Sequence, residues 1–520
     1  MIAEEFILKH GPALLVAIPL FAAFATPFIS RLNEKVRNAW VLLALLLNIY
    51  VLFIVGRNVY HHGIQLYVYG ASNPGLALPS GYVIPVRIIF ELDALSVFMA
   101  AITMLLSFIG ALYSISFLKE HDGLDKYYTL LLLMTASMLG MELTGDMFNL
   151  FVFLEILSIA SCALVAFRSE RGESAEAAFK YMMMSSLGAM FVLFSIGVLY
   201  GQYDALNMAV LSKRIEYNLL DKIALALLVA AFGMKAGGAP MHMATPDAYG
   251  EAPASISIML VGGSQASLYA LFRVVFTIYG GMLDVTSVGW IIIALAIISI
   301  LIGVSMALLQ TDFKRLIGYS AIAEIGYMML GVGVALAVLN DGATYGTKAL
   351  EGGIFHILND ALDIGLLFLV AGAVYYTTGK RSLNAVGGLA RNMKYTAFFF
   401  IIGMAAVSGL PPMNGFASKL LIYESVYQLN PVLSIIGIMA SILMLAVFAK
   451  VFQSAFLGPT LPEHKDVGEV PAPMLLGMAL ITLLIIFIGL FPRFVLEHFV
   501  SPAAQALLNR MAYLGAVGGA

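Results

Sequence analysis

Runs of about twenty apolar residues recur along the whole chain, and about twenty helical residues are what the hydrocarbon core of a bilayer requires. By that length criterion the sequence holds about fourteen spans. They start near Gly11, Asn38, Asp93, Tyr127, Phe148, Tyr181, Lys222, Ala254, Gly289, Leu316, Leu350, Thr396, Pro431 and Pro471. The predicted fold class is therefore an all-α polytopic membrane protein. Composition agrees: only 11% of the 520 residues are charged, where a soluble protein carries about 25%. A net charge of −3 gives no reason to expect nucleic acid as a partner. Cys162 is the only cysteine, which excludes internal disulfides and cysteine-ligated iron–sulfur clusters.

The acidic start MIAEEFILKH has no basic region or small-residue cleavage site, so no signal peptide is expected. Between Arg57 and Glu91, Tyr67–Tyr69 and Tyr82–Phe90 flank glycines and prolines and predict a short extramembrane hairpin after the second helix. A small interfacial helix is expected beyond Phe494. No low-complexity linker divides the chain, so 1–520 is read as one transmembrane domain. Lysine and arginine placement orients it. Fifteen fall in loops after odd-numbered spans, among them Arg168, Arg171, Lys314, Arg315, Arg381 and Lys465, and these loops are placed inside. Nine, including Arg57, Arg87 and Lys213, fall on the other side, while Lys235, Arg273, Lys419 and Lys450 lie within spans. Both termini are therefore expected outside.

Two spans are interrupted, one by Gly237, Gly238, Pro240 and Pro246, the other by Gly409, Pro411, Pro412 and Gly415. Such breaks free backbone groups and are tolerated only against protein or water. Interrupted helices in corresponding positions of two halves point to an internal repeat with ion sites near the midplane. Pairing spans four to eight (about 127–277) with nine to thirteen (about 289–457) matches the two breaks. Helices 11–117 and 471–496 then flank the two inverted five-helix repeats. Each repeat carries one glutamate in an apolar helix and, two spans later, one lysine at the break: Glu155 with Lys235, and Glu324 with Lys419.

A charge at mid-membrane depth costs at least about 2.5–3.5 kcal/mol, so such residues are by default functional. Opposite charges within about 4–6 Å hold each other ionised, and separation drives both toward neutrality. Each pair can thus load and release a proton, or can simply be a static ion pair. In the eleventh span His356, Asp360 and Asp363 follow at helical spacing and share a face. That face can be a proton wire or a polar seam that locks helices. Histidines at metal-ligand spacing are lacking, so no metal site is expected. His242, Asp247 and Glu251 lie past the first break, either in a solvated loop or at an aqueous mouth. Glu142 stands with Asp146 at the junction of the fourth and fifth spans, and Asp146 is read as an N-terminal helix charge.

Six stretches carry a resemblance: ELDALSVFM (Glu91–Met99), DMFNLFVFLEILSIASCAL (Asp146–Leu164), FGMKAGGAPMHMATPDAYGEAPASIS (Phe232–Ser257), DFKRLIGYSAIAEIGYM (Asp312–Met328), FHILNDALDIGLLFLVAGAV (Phe355–Val374) and GLPPMNGFASKLL (Gly409–Leu421). In these the chain resembles the antiporter-like subunits of respiratory complex I, Mrp-type sodium/proton antiporters and archaeal membrane-bound hydrogenase complexes. The resemblance implies fourteen helices, the inverted repeat, the Glu155–Lys235 pair and Lys419 as the last carrier of a central polar axis. It implies no cofactor of its own and no separate enzymatic site. The partners it implies are other membrane subunits of an oxidoreductase or antiporter complex in the cell membrane, with protons or sodium as cargo. A stand-alone cation/proton antiporter and a scaffold that has lost translocation are the alternatives.

The chain departs from that pattern at Gln265, where such relatives usually have lysine, and at Glu324, Asp360 and Asp363. These three carboxylates are expected to replace a lysine relay, by shared protons or as oxygen ligands to sodium.

Overall fold

The computed structural model describes residues 2–69, 88–168, 170–282, 284–464 and 467–517. Twenty α-helices follow one another: α1 Ile2–Ser30, α2 Glu34–His62, α3 Ala94–Phe117, α4 Leu124–Leu143, α5 Met147–Val165, α6 Gly172–Tyr203, α7 Met208–Arg214, α8 Leu219–Ala236, α9 Thr245–Glu251 and α10 Ala254–Phe272. The second half runs α11 Val285–Leu309, α12 Phe313–Ala337, α13 Thr344–Thr378, α14 Lys394–Val407, α15 Asn414–Leu429 and α16 Pro431–Val451. It ends with α17 Ala472–Leu490, α18 Pro492–Val495, α19 Ser501–Leu508 and α20 Arg510–Val517.

Among the described residues, eleven helices are long and apolar enough to cross a membrane. The expectation of about fourteen spans exceeds that number by three segments with identifiable reasons. The fourth, α4, carries Asp125, Lys126 and Glu142 near its ends. The seventh is divided between α8 and α9, and the twelfth between α14 and α15. The sixth helix begins at Gly172, nine residues before the expected Tyr181, because GESAEAAFK is polar yet helix-forming.

The expected hairpin has its two strands: β1 (Gln65–Val68) pairs antiparallel with β2 (Ile89–Leu92), with Leu66 opposite Glu91. Its segment 70–87, including Arg87 and most of the Tyr82–Phe90 strand, lies outside the described residues, as does Lys465. Beyond Phe494 the tail forms not one helix but a π-turn over Leu496–Val500 followed by α19 and α20.

The bundle is layered by burial. α10, α12 and α13 form its centre, with every residue of the most apolar stretch of α10 and of α12 buried, while α1, α16 and α17 keep about two thirds of theirs open to lipid. Helices buried all round suit the middle of such a bundle, and one-sided helices its rim. Several local devices occur twice. Asp146 caps α5 by accepting from Asn149 N at 2.8 Å, and Asp312 caps α12 by accepting from Arg315 N at 2.9 Å. Asp146 also bridges Asn207 beyond α6, as Asp312 bridges Ser382 beyond α13. α10 and α16 each run into a π-helical turn, Arg273–Ile278 and Phe452–Phe456.

Candidate functional site

The two breaks share their backbone construction. Gly237 and Gly409 adopt left-handed conformations, with φ of 84° and 69°, which glycine takes without steric cost. The residue after each donates back across five positions, Gly238 N to Gly233 O and Leu410 N to Ala405 O, both at 2.9 Å. The end of α14 can be accounted for carbonyl by carbonyl. Met404, Ala405 and Ala406 accept from Ser408, Leu410 and Gly409. The last, Val407 O, accepts from Lys419 Nζ at 2.7 Å. Gly415 permits this closeness, since a Cβ there would lie 2.1 Å from Ala406 O and 3.1 Å from Asp363 Oδ2.

Lys419, on the second turn of α15, is 1% exposed and has two further partners. Its Nζ lies 3.0 Å from Glu324 Oε1 and 4.5 Å from the centre of the Tyr327 ring. The carbonyl end of α14, the carboxylate and the ring face all favour a cation. Tyr327 is fixed by donating to Gly437 O at 2.6 Å. The other Glu324 oxygen meets His356 Nε2 at 2.7 Å, and His356 Nδ1 meets Ser418 Oγ at 3.0 Å. With Glu324 ionised, Nε2 holds the ring proton and Nδ1 accepts from the serine.

The polar line continues through uncharged groups. Asn359 donates to Ser418 Oγ at 2.8 Å and to Asn414 O at 3.0 Å, and Asn414 donates to Asp363 Oδ1 at 2.9 Å. Lys419, Glu324, His356, Ser418, Asn359, Asn414 and Asp363 thus form one hydrogen-bonded series through α12, α13 and α15. Asp360 faces the other way. Its Oδ2 accepts from Gln265 Nε2 at 2.8 Å, the same amide reaching Ile357 O at 3.0 Å. Among the described residues, Asp360 Oδ1 and Gln265 Oε1 have no partner. The three carboxylates expected to gather at one spot are therefore divided among different partners. Among the described residues, no group of three His, Cys, Asp or Glu side chains is placed to hold a metal ion, so the oxygen-ligand reading of Glu324, Asp360 and Asp363 as a sodium site is not supported.

The surroundings of Lys235 are built more loosely. Lys235 lies in the last turn of α8, buried, and its ammonium donates to Ser158 Oγ. Glu155, one turn before that serine on α5, is half-buried and its Oε1 has no partner. The expected Glu155–Lys235 ion pair is not formed, because Ser158, on the same face of α5, takes the ammonium instead. The two lysines also approach their breaks from opposite sides. Lys235 precedes Gly237 by two residues, whereas Lys419 follows Gly409 by ten.

Glu142 is in neither a loop nor a mouth. It is fully buried in α4, accepts from Thr103 Oγ1 at 2.6 Å and leaves Oε2 unpartnered. Asp247 and Glu251 belong to α9 and are paired: Asp247 with Lys180 at 3.3 Å and Arg315 at 2.9 Å, Glu251 with Arg381 at 2.7 Å. They form a charged rim rather than a free loop. His242 lies in the break with its ring 6.4 Å from that of Tyr319. Lys314, expected beside Arg315 as an inner-face charge, is buried and donates to Ala252 O.

Asn359, Asn414, Ser418, Tyr327 and Ser158 escaped notice in the sequence because they carry no charge. The available signal was Asn359 beside Asp360 in an apolar helix, and Asn414 two residues after Pro412 at the break. A second buried cluster was also missed: Arg273 pairs with Asp93 and stacks between the rings of Tyr269 and Tyr513, 5.2 and 4.9 Å from their centres.

Residues 144–444 match the family described as NADH:quinone oxidoreductase/Mrp antiporter, TM. NADH-quinone oxidoreductase subunit N of Desulforudis audaxviator is 31% identical over 517 residues, covering 95% of this chain and 98% of that protein. A Na(+)/H(+) antiporter subunit of Bacillus subtilis is 28% identical, covering 96% and 98%. Among solved structures, a chain of the membrane-bound sulfane sulfur reductase, an archaeal respiratory membrane complex, superposes with a TM-score of 0.86 at 28% identity. It covers 97% of this chain and 99% of that one.

Proposed function

The chain belongs to the NADH:quinone oxidoreductase/Mrp antiporter transmembrane family, and on that premise we propose that it moves protons, sodium ions or both as one membrane subunit of a multi-subunit respiratory or antiporter complex. The observation that carries this reading is the buried line Lys419–Glu324–His356, each residue 1% exposed, laid against a broken helix. A static ion pair needs neither the break nor a titratable third member. A charge-bearing carbonyl end, a carboxylate and an imidazole in hydrogen-bond series are what proton transfer requires.

In this reading Glu155, Lys235, Glu324, His356, Asp360, Asp363 and Lys419 carry the ion. A proton held by Lys419 passes to Glu324. With Glu324 neutral, His356 takes the tautomer whose Nε2 accepts from that carboxyl and whose Nδ1 donates to Ser418 Oγ, while Ser418 donates to Gly415 O. The proton so moves on to the imidazole and leaves Glu324 ionised again, with the Asn359–Asn414 amides orienting Asp363. Asp360 and Gln265 join α13 to α10, which packs against α8, the helix of Lys235. The chain crosses the membrane fourteen times, the eleven apolar helices joined by α4 and by the two broken pairs α8–α9 and α14–α15. Repeats at about 127–277 and 289–457 relate by inversion. The doubled Asp caps, doubled bridges, doubled π-turns and doubled left-handed glycines support that symmetry. Both termini lie outside the cell membrane, the basic face being inside.

The test is ion flux in vesicles containing the assembled complex. Lys419→Ala is expected to abolish flux while partner subunits remain bound. Unchanged flux would make the chain a scaffold. Dependence of flux on sodium at fixed pH distinguishes the cargo, and exchange by the purified chain alone would establish the stand-alone antiporter.

A further inference from the structure

Three apolar spans end beside one another at a basic corner of the bundle. Arg168 closes the span Met147–Arg168, Phe117 closes Ala94–Phe117, and Tyr375 lies in the last turn of Thr344–Thr378. Their side chains therefore meet where hydrocarbon gives way to headgroups. The Arg168 guanidinium lies 5.6 Å from the centre of the Phe117 ring and 5.4 Å from that of Tyr375. Arg171 stacks on the same Tyr375 ring at 5.3 Å and donates to its hydroxyl.

Arg168 is 6% exposed, yet among the described residues its Nε finds no acceptor. The nearby carboxylates do not supply one: Arg381 holds both Glu251 and Asp312, at 2.7 and 2.9 Å, and Glu120 and Glu170 are exposed. Buried charges are normally paired, and aromatic faces compensate only in part. In front of this guanidinium opens a cavity of 470 Å³ lined by Arg168, Arg171, His121 and Tyr375, with Glu120 and Glu170 also on its wall. Partial burial, and then the Arg168 charge, push the His121 imidazole below its ordinary pKa.

We propose that this cavity binds a phosphate-type oxyanion, gripped by the guanidinium forks of Arg168 and Arg171 and flanked by the rings of Phe117 and Tyr375. Planar guanidinium forks match phosphate oxygens two at a time. The depth fits the headgroup of an anionic phospholipid, and the volume exceeds what inorganic phosphate alone would fill. Lipid headgroup and free phosphate share this chemistry, and the test separates them.

The full chain, purified in uncharged detergent and stripped of lipid, is offered phosphatidylglycerol, a phosphate-free galactosyl diacylglycerol or inorganic phosphate. Binding is read by native mass spectrometry and by the shift in Tm. Phosphatidylglycerol is expected to bind at least tenfold more tightly than the galactolipid. Arg168→Gln and Arg171→Gln are expected to erase that preference, while Arg493→Gln, at an exposed arginine elsewhere, keeps it. Stabilisation by inorganic phosphate that Arg168→Gln removes assigns the site to the free anion. Equal binding of both lipids with no phosphate effect, or retained preference in both cavity variants, overturns the proposal. If Arg168→Gln fails to fold, Arg171→Gln alone decides.

Discussion

Lys419 and Glu324 meet at 3.0 Å, each only 1% exposed, while Lys235, at the other break, and Glu155 form no salt bridge. One break therefore holds its lysine in direct contact with a carboxylate, and the other sets a serine hydroxyl against its lysine. Deleting one partner of a buried pair typically costs about 3–5 kcal/mol, because the remaining charge is left without compensation. Glu324→Gln is thus expected to lower Tm strongly. Glu324→Gln combined with Lys419→Met is expected to recover most of the stability and none of the ion flux. Thermal melts and flux on the same three proteins check this. Recovered flux in the double variant would remove these residues from the ion path.

Glu155 should behave differently. Lys235 is already satisfied by Ser158, so Glu155→Gln leaves no new unpaired cation. Its expected cost in stability is below about 1 kcal/mol, with a marked loss of flux. A loss of stability equal to that of Glu324→Gln would show that the pair is closed in the working protein.

Gly415 sets the closeness of the second break. Gly415→Ala places a Cβ 2.1 Å from Ala406 O, a backbone atom that cannot rotate away, and overpacking of this kind costs about 1–3 kcal/mol. Gly233→Ala, where the nearest atom is the flexible Met241 Cε at 3.6 Å, is expected to fold normally. Comparing the two melting temperatures tests whether the break is as tightly packed as these distances state.

His121 provides a pH signature. Its pKa lies below the ordinary 6.5, through partial burial first and then Arg168, with Arg171 acting the same way and Glu170 and Glu120 opposing. The folded protein therefore binds a proton here less readily than the unfolded chain. The stabilisation is complete above about pH 6.5 and falls away as pH drops below it toward the folded pKa. His121→Gln should flatten that part of the Tm–pH curve. An unchanged curve would show that the imidazole is not partly buried beside Arg168 in the folded protein.

Much of this architecture could be read from residue order, because hydropathy reports burial in lipid and Gly-Pro clusters report where a membrane helix must break. Lys235 and Lys419 stood out as lone charges, and both do lie at breaks. What residue order did not convey was which nitrogen meets which oxygen. Ser158 and Glu155 are one turn apart on α5, and only three-dimensional placement decides that the serine takes the lysine. Asn359, Asn414 and Ser418 were passed over because uncharged polar residues barely alter hydropathy, although they connect His356 to Asp363. The early start of α6 was hidden for a related reason: helix propensity in GESAEAAFK extends past the apolar window. Glu142 does stand at the junction of the fourth and fifth spans, but its full burial was hidden because a charge near the end of an apolar run resembles a solvated boundary.

The carbonyl of Val407 is an oxygen ligand of Lys419 that never titrates. When Glu324 is neutral, the ammonium still has an oxygen acceptor and a ring face, so its position is defined in both protonation states of its partner. The interrupted helix thus acts as a fixed berth. A change of charge on Glu324 therefore leaves the lysine ammonium with a defined place, set by backbone rather than by a titrating group.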